Sequence, residues 1–266
     1  MTLTVFVGYD VREHPAWLVC RETLIHPAAS PEYQENGLDI NVVPLSHKEL
    51  RRQGLFDREW TIDKNGQPWD NVDGRPFSTD FSHSRFLVPH IAKQMGIKGP
   101  VVFVDCDFMF LEPITQMLDG LDRSKVISVV KHDTSTLVEG TKMDGVKQTT
   151  YSRKLWSSLM VFNMSHPDID RFSKDVANIA AGSELHGLLG LPDSEIGEIS
   201  SQWNYIPTMT ELASSYINAN AVHWSMGGPW MKGYEKAMFA PLWRDRFKHV
   251  TNKFLAGDMS ELYPLS

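Results

Sequence analysis

At 266 residues, 42% hydrophobic and 22% charged, the chain is long enough to bury a sizeable core and too apolar to stay disordered. Its formal net charge of −7 excludes a surface whose affinity comes from neutralising nucleic-acid phosphates. Cys20 and Cys106 are too few for a disulfide scaffold and lack zinc spacing. With no basic-apolar signal segment at the start and no apolar stretch long enough to span a bilayer, a soluble cytoplasmic protein is expected.

In chain order, "LTVFVGYD" (3–10) predicts a buried first strand broken at Gly8. "HPAWLVCRETLIHP" predicts a helix, with Trp17, Cys20 and Leu24 at helical spacing and Pro15 suited to its first turn. "DINVVPL" reads as a second strand and "SHKELRRQG" as a helix with Ser46 at its N-cap. Residues 57–78, rich in Gly, Pro, Asn and Asp, predict a long loop. "TDFSHSRFLVPHIAKQMG" predicts a helix kinked at Pro89, followed by the apolar strand "VVFV". Further strands are expected at 126–131 and 158–163, with a helix near 168–181, before "WNYIP" and "NAVHWSMGGPW". Strands alternating with helices imply an α/β fold, a mostly parallel central sheet flanked by helices, with ligands at its carboxyl edge.

The run "VVFVDCDFMFLEP" (101–113) drives a buried strand into Asp105 and Asp107. Alternate residues of a strand share a face, so both carboxylates point the same way. Like charges held together call for a hard divalent cation, Mn²⁺ or Mg²⁺, of the kind shared with substrate phosphates. The plainer reading is a solvated polar turn, but a solvated turn is not normally framed by "VVFV" and "FMFLEP".

This segment resembles the D-x-D motif of GT-A glycosyltransferases, in particular the glycogenin-like retaining enzymes of glycosyltransferase family eight. Similar motifs run from residue 5 to about 232, including "KMDGVKQTTYSRKLWSSLMVFN" and "HWSMGGPW". The resemblance implies one GT-A, Rossmann-like domain over 1–266. Within it, 1–112 would be a nucleotide-binding half, 113–232 a half for donor sugar and acceptor, and 233–266 a C-terminal packing segment. It implies metal-dependent transfer of a hexose from a nucleotide diphosphate sugar, UDP-linked, to a hydroxyl acceptor on a glycan or other molecule, with retention.

Residue by residue, the resemblance implies metal ligation by Asp105, Asp107 and His223, the histidine ending an apolar strand ahead of a glycine pair. Tyr9 would flank the base and Asp10 hydrogen-bond its polar edge; the alternative for Asp10 is a helix N-cap. Arg85 would reach the donor sugar or phosphate, or else lie on a helix surface. Ser157 and Ser158 would lie near the donor sugar, though paired serines at a strand start need no function. Asp193 would hydrogen-bond sugar hydroxyls, although serine at 194 replaces the family's amide. Gly227 and Gly228 would admit phosphate to backbone amides, and Lys232 would neutralise the departing diphosphate. His223 and Lys232 are nine residues apart, a longer spacing than in the family pattern. Trp230 would offer a ring face to a sugar.

The polar segment 131–154, carrying Lys142, Asp144, Lys147, Gln148, Tyr151 and Arg153, is expected to frame the acceptor side and order on donor binding. Two other readings stand beside transfer. One is a non-catalytic nucleotide-sugar or glycan binder with a GT-A fold. The other is a phosphohydrolase of the haloacid dehalogenase type, in which D-x-D normally sits on the first strand.

Overall fold

The computed structural model describes residues 2–29, 39–133, 141–142, 146–147, 153, 155–207 and 218–256. Thr2–Tyr9 forms strand β1, and a short 3-10 turn at Val11–Glu13 leads into helix α1, His14–Ile25. Next come β2 (Asp39–Ser46), α2 (His47–Arg52), β3 (Trp60–Ile62), β4 (Pro68–Asp70) and β5 (Arg75–Pro76). The central stretch holds α3 (Val88–Gln94), β6 (Pro100–Val104), β7 (Phe108–Phe110), α4 (Thr115–Asp119) and β8 (Ile127–Val129). The remainder runs β9 (Thr141–Lys142), β10 (Val146–Lys147), β11 (Leu159–Asn163), α5 (Lys174–Ile179), α6 (Gly182–His186), β12 (Ile196–Glu198), β13 (Ala221–His223) and α7 (Ala240–Leu255).

Six strands make the central sheet in the order β12-β8-β11-β6-β1-β2. β1 pairs parallel with β2 and β6, and β12 with β8, while β11 runs antiparallel to both its neighbours. Five strands therefore share one direction and β11 alone opposes them, so the sheet is mostly parallel. Val5, Phe6 and Val7 of β1 and Val101 to Val104 of β6 have no exposure. Their uninterrupted apolar runs are what a strand covered on both faces requires.

The reversal of β11 matters most for function. Its register sets Leu159 opposite Val104, so the residues entering β11 meet those leaving β6. Asp105 N–H accordingly donates to Ser158 O at 2.9 Å.

Several local expectations are corrected. β1 runs through Gly8 to Tyr9 instead of breaking there. Gly8 is needed for close approach: a Cβ at that position would fall 2.5 Å from the Phe81 ring. Ser46 precedes α2 but makes no side-chain cap hydrogen bond. Residues 57–78 include a three-stranded antiparallel sheet, β3-β4-β5. The turn chemistry of "DKNG" and "DNVDG" closes two hairpins there, the first with Asp63 Oδ1 accepting from the amides of Asn65 and Gln67. The helix expected over 79–96 is a 3-10 turn at Ser84–Leu87 followed by α3, with Pro89 in the first helical turn. A proline there forfeits no helical hydrogen bond, so no kink results. The helix near 168–181 likewise divides into a 3-10 turn, Pro167–Arg171, and α5, capped by Ser173 Oγ accepting from Val176 N–H.

α1 supports the loop between β6 and β7 from below. Thr23 Oγ accepts from Phe110 N–H and donates to Val19 O, and the Cys106 thiol donates to Glu13 Oε2 at 3.1 Å. α7 packs across α1, where Lys253 Nζ reaches Glu22 Oε1 at 2.9 Å. No helix among the described residues is long and apolar enough to cross a membrane.

Candidate active site

β6 ends at Val104, and the chain turns through Asp105, Cys106 and Asp107 into β7. β7 pairs antiparallel with β13 in the register that sets His223 opposite Phe108. Trp224 N–H closes the same junction on Asp107 O at 3.1 Å. Residues more than a hundred positions apart are thereby joined by one strand pair. Asp105, Asp107 and His223 each bring a ligand atom within 4.8 Å of the others.

A relay of hydrogen bonds fixes the histidine. Ser158 Oγ donates to Leu155 O at 2.7 Å and accepts from Asn204 Nδ2 at 2.9 Å. That leaves Asn204 Oδ1 facing His223 Nδ1 at 2.8 Å, so the ring carries its proton on Nδ1. Nε2 is the ring nitrogen left for a ligand; it lies 3.3 Å from Asp107 Oδ1 and makes no hydrogen bond although it is buried. The ring is held flat on Phe108, with centroids 4.3 Å apart and planes 16° from parallel. An imidazole oriented through its distal nitrogen is how metal-binding histidines are normally held.

Arg85 is buried in this group. Its Nη1 lies 2.8 Å from Asp105 Oδ1 and donates to Ser157 O at 2.8 Å, while Cζ sits 5.3 Å and 5.0 Å from the Phe81 and Phe103 ring centres. One guanidinium against two carboxylates leaves the group one positive charge short. Two carboxylate oxygens and an imidazole nitrogen, with more acid than base around them, fit a hard divalent cation such as Mn²⁺ or Mg²⁺.

The other candidates fall into distinct places. Ser157 is buried with Oγ 2.7 Å from His186 Nδ1, and Ser158 belongs to the relay. Tyr9 ends β1 with its hydroxyl 3.3 Å from His14 Nδ1 and its ring edge-on to Trp17. Asp10 is the N-cap of the following 3-10 turn. Its Oδ1 accepts from the backbone and Nε of Arg12, and Oδ2 from Arg12 Nη2 and Asp80 N–H. Burial pushes its carboxyl up, but the bonds and charge of Arg12 outweigh this and hold it below the usual range. With those acceptors occupied, the structure favours the cap over contact with a base.

The glycine pair also takes another role. Gly227 N–H donates to Trp224 O at 2.9 Å, which takes its amide out of reach of a phosphate. Gly227 has φ +131°, and a Cβ there would fall 2.9 Å from the Tyr234 ring; at Gly228 a Cβ would fall 2.2 Å from Trp230. These glycines admit rings. Trp230 packs edge-on to Trp224 and tilted against Trp243, so its faces serve an aromatic cluster. Lys232 is exposed on the segment after that pair. Asp193 starts a 3-10 turn before β12, 72% exposed and 2.8 Å from Arg153 Nη2. Of the segment 131–154, residues 134–140, 143–145, 148–152 and 154 lie outside the described residues, as do the side chains of Lys142 and Lys147.

Sequence reasoning missed Asn204 and His132. Asn204 hides in "WNYIP", where a buried amide has no periodic signature; its fixed position comes from backbone pairing of Tyr205 with Ala221 and His223. His132 follows β8, and burial, with the neighbouring His223, lowers its pKa to about 4.

No family model matches the sequence. The chain is 36% identical over 251 residues to protein CDI of Arabidopsis thaliana, covering 94% of this chain and 87% of that protein. Among solved structures it resembles the galactosyltransferase LgtC in complex with donor and acceptor sugar analogues, at 14% identity and TM-score 0.52, over 94% of this chain and 96% of LgtC. It also resembles the glycosyltransferase GlyE of Streptococcus pneumoniae, at 11% identity and TM-score 0.53, over 99% of this chain and 66% of GlyE. The sheet order, the lone reversed strand and these likenesses make the fold GT-A, and the chain belongs to the family of the plant protein CDI.

Proposed function

We propose that this protein is a metal-dependent glycosyltransferase, moving a hexose from a UDP-linked sugar to a hydroxyl acceptor with retention of configuration. The observation that carries the reading is the preset trio of Asp105, Asp107 and His223 at the carboxyl edge of a GT-A sheet, with His223 Nε2 turned toward Asp107. Asp105, Asp107 and His223 would hold Mn²⁺ or Mg²⁺, which supplies electrostatic stabilisation to a departing diphosphate. Retention and the UDP donor rest on the family resemblance.

The protein's own groups divide the remaining work. Arg85 fixes Asp105 and offsets part of the repulsion between the paired carboxylates before any cation binds. Asn204 holds the His223 tautomer that leaves Nε2 available. Tyr9 borders the base, Ser157 and Asp193 face the sugar, and Lys232 approaches the leaving diphosphate from the segment after β13. Preset charges and dipoles of this kind lower the barrier because they need not reorganise during reaction.

The second reading, a binder without turnover, draws on one observation: Gly227 gives its amide to Trp224 instead of a phosphate. A donor-hydrolysis screen of UDP-, GDP- and TDP-sugars with Mn²⁺ separates the two. Metal-dependent hydrolysis of a UDP-sugar is the expected result. Binding without hydrolysis favours the binder, and neither binding nor hydrolysis overturns both.

A further inference from the structure

Arg153 makes three contacts to one short loop. Nη1 donates to Gly187 O at 2.8 Å, and Nη2 donates to Leu191 O at 2.6 Å and to Asp193 Oδ1 at 2.8 Å. Its Cζ lies 5.4 Å from the Trp156 ring centre, and the Trp156 indole N–H donates to His132 O at 3.1 Å. The guanidinium therefore joins the turn that delivers Ser157 and Ser158 to the loop that delivers Asp193.

Both joined segments are strained. Arg153 and Leu155 have φ of 63° and 73°, and Leu188 and Leu189 have φ of 57° and 53°. Branched and long side chains rarely adopt this left-handed region, and such residues persist only where surrounding contacts over-determine them. Here Leu188 and Leu191 are anchored in the core, while Arg153 grips the carbonyls of Gly187 and Leu191 on either side of the strained pair. The Ser157–His186 hydrogen bond is a second tie between the same segments. Asp193 remains 72% exposed with only Oδ1 turned to Arg153, so its carboxylate is oriented without being covered.

We infer that Arg153 is a positioning residue for sugar recognition, clamping the 187–193 loop to the 153–158 turn so that Asp193 meets the hydroxyls of a bound sugar. The inference rests on the glycosyltransferase reading and goes beyond it, because Arg153 acts through Asp193 and does not touch the reacting atoms. A bidentate fork is required, since one planar group must satisfy two carbonyls and a carboxylate; lysine, a single point charge, cannot.

The test uses the full chain with Mn²⁺ and measures binding of UDP, UDP-glucose and UDP-galactose, and hydrolysis of the two sugars. Arg153→Ala is expected to leave UDP affinity unchanged and raise KM for the hydrolysed UDP-sugar about tenfold, with kcat less affected. Arg153→Lys should recover only part of this. Asp193→Asn combined with Arg153→Ala should be no worse than Asp193→Asn alone, because the two act as one unit. Hydrogen exchange without nucleotide should show the 187–193 amides less protected in Arg153→Ala. Equal loss of UDP and UDP-sugar affinity, an unchanged KM, or additive effects would overturn the inference while leaving the function intact. A wild-type chain that binds neither UDP nor either sugar overturns the functional reading, and this inference with it.

Discussion

Among the described residues, two groups each hold two aspartates, a histidine and an arginine, and they differ in how far those side chains are already engaged. At the end of β6 are Asp105, Asp107, His223 and Arg85; beside β4 are Asp70, Asp73, His83 and Arg58. In each, the aspartates and histidine bring ligand atoms within 4.8 Å. The difference lies in what the arginine does. Arg58 engages both oxygens of Asp70 and spends Nη1 on the carbonyls of Ala177, Asn178 and Ala180 at the end of α5. Asp73 accepts from Gly182 N–H and Arg75 N–H. That group is a closed knot tying the small sheet to α5 and α6. Arg85, by contrast, meets Asp105 with Nη1 2.8 Å from Oδ1 and gives the same Nη1 to Ser157 O, and His223 Nε2 is buried without a hydrogen bond. Residue types define a candidate, while hydrogen bonding decides how many of its carboxylate oxygens are already taken.

The largest expected contrast is in stability. Asp70→Ala strands a buried guanidinium and should cost about 3–5 kcal/mol in denaturant unfolding. Asp107→Ala relieves repulsion between neighbouring carboxylates and should leave the unfolding midpoint close to wild type. If both variants unfolded alike, the two groups would have the same structural role and the comparison would fail.

The next effect sharpens the role of Asn204. Asn204→Ala frees the His223 tautomer and should weaken Mn²⁺ affinity in the presence of UDP by about 10–100-fold. Calorimetric titration reads this directly, and unchanged affinity would remove the relay from the account.

A pH series tests the knot. Burial first, and then the charge of Arg58, lower His83 to about 3, against an ordinary value of 6.5. The unfolded chain takes up this proton below about pH 6.5 and the folded chain does not, so the stabilising contribution is present above that range. It is lost as pH falls through the window, at up to about 1.4 kcal/mol per unit. His83→Gln should flatten the acid limb of the stability profile; an unaltered slope would show that His83 is not responsible.

The smallest effect falls on Lys232, exposed beyond the glycine pair. Lys232→Ala should lower turnover several-fold while donor affinity hardly changes, because charge on the leaving diphosphate grows in the transition state. Equal turnover in the variant would mean that its longer spacing from His223 carries it out of reach.

Much of this architecture was legible in the sequence because apolar periodicity is a local property. "LTVFVGY" and "VVFV" are strands, and Asp105 with Asp107 marks the carboxyl edge. His223 was legible through the resemblance, and the β7–β13 register supplies its physical reason. Roles fixed by distant partners were less legible. Gly227 and Gly228 have a steric reason to be glycine, the rings of Tyr234 and Trp230, that the sequence does not show. Asp10 could cap or recognise, and Arg12 with Asp80 decides. Arg58 and Asp70 gave no sign of pairing because "DREWTIDKNGQPWD" reads as a loop until its hairpin closes. Asn204 acquires its meaning only from Ser158 and His223, far away in sequence.

Whether Asp105, Asp107 and His223 hold the cation is read by a titration of Mn²⁺ in the presence of UDP, followed by electron paramagnetic resonance. It would compare wild type with Asp107→Asn and Asp73→Asn, each of which removes one carboxylate charge from one of the two groups. Wild type is expected to show a single Mn²⁺ site, retained in Asp73→Asn and lost in Asp107→Asn. A site that survives in Asp107→Asn and vanishes in Asp73→Asn would contradict that assignment.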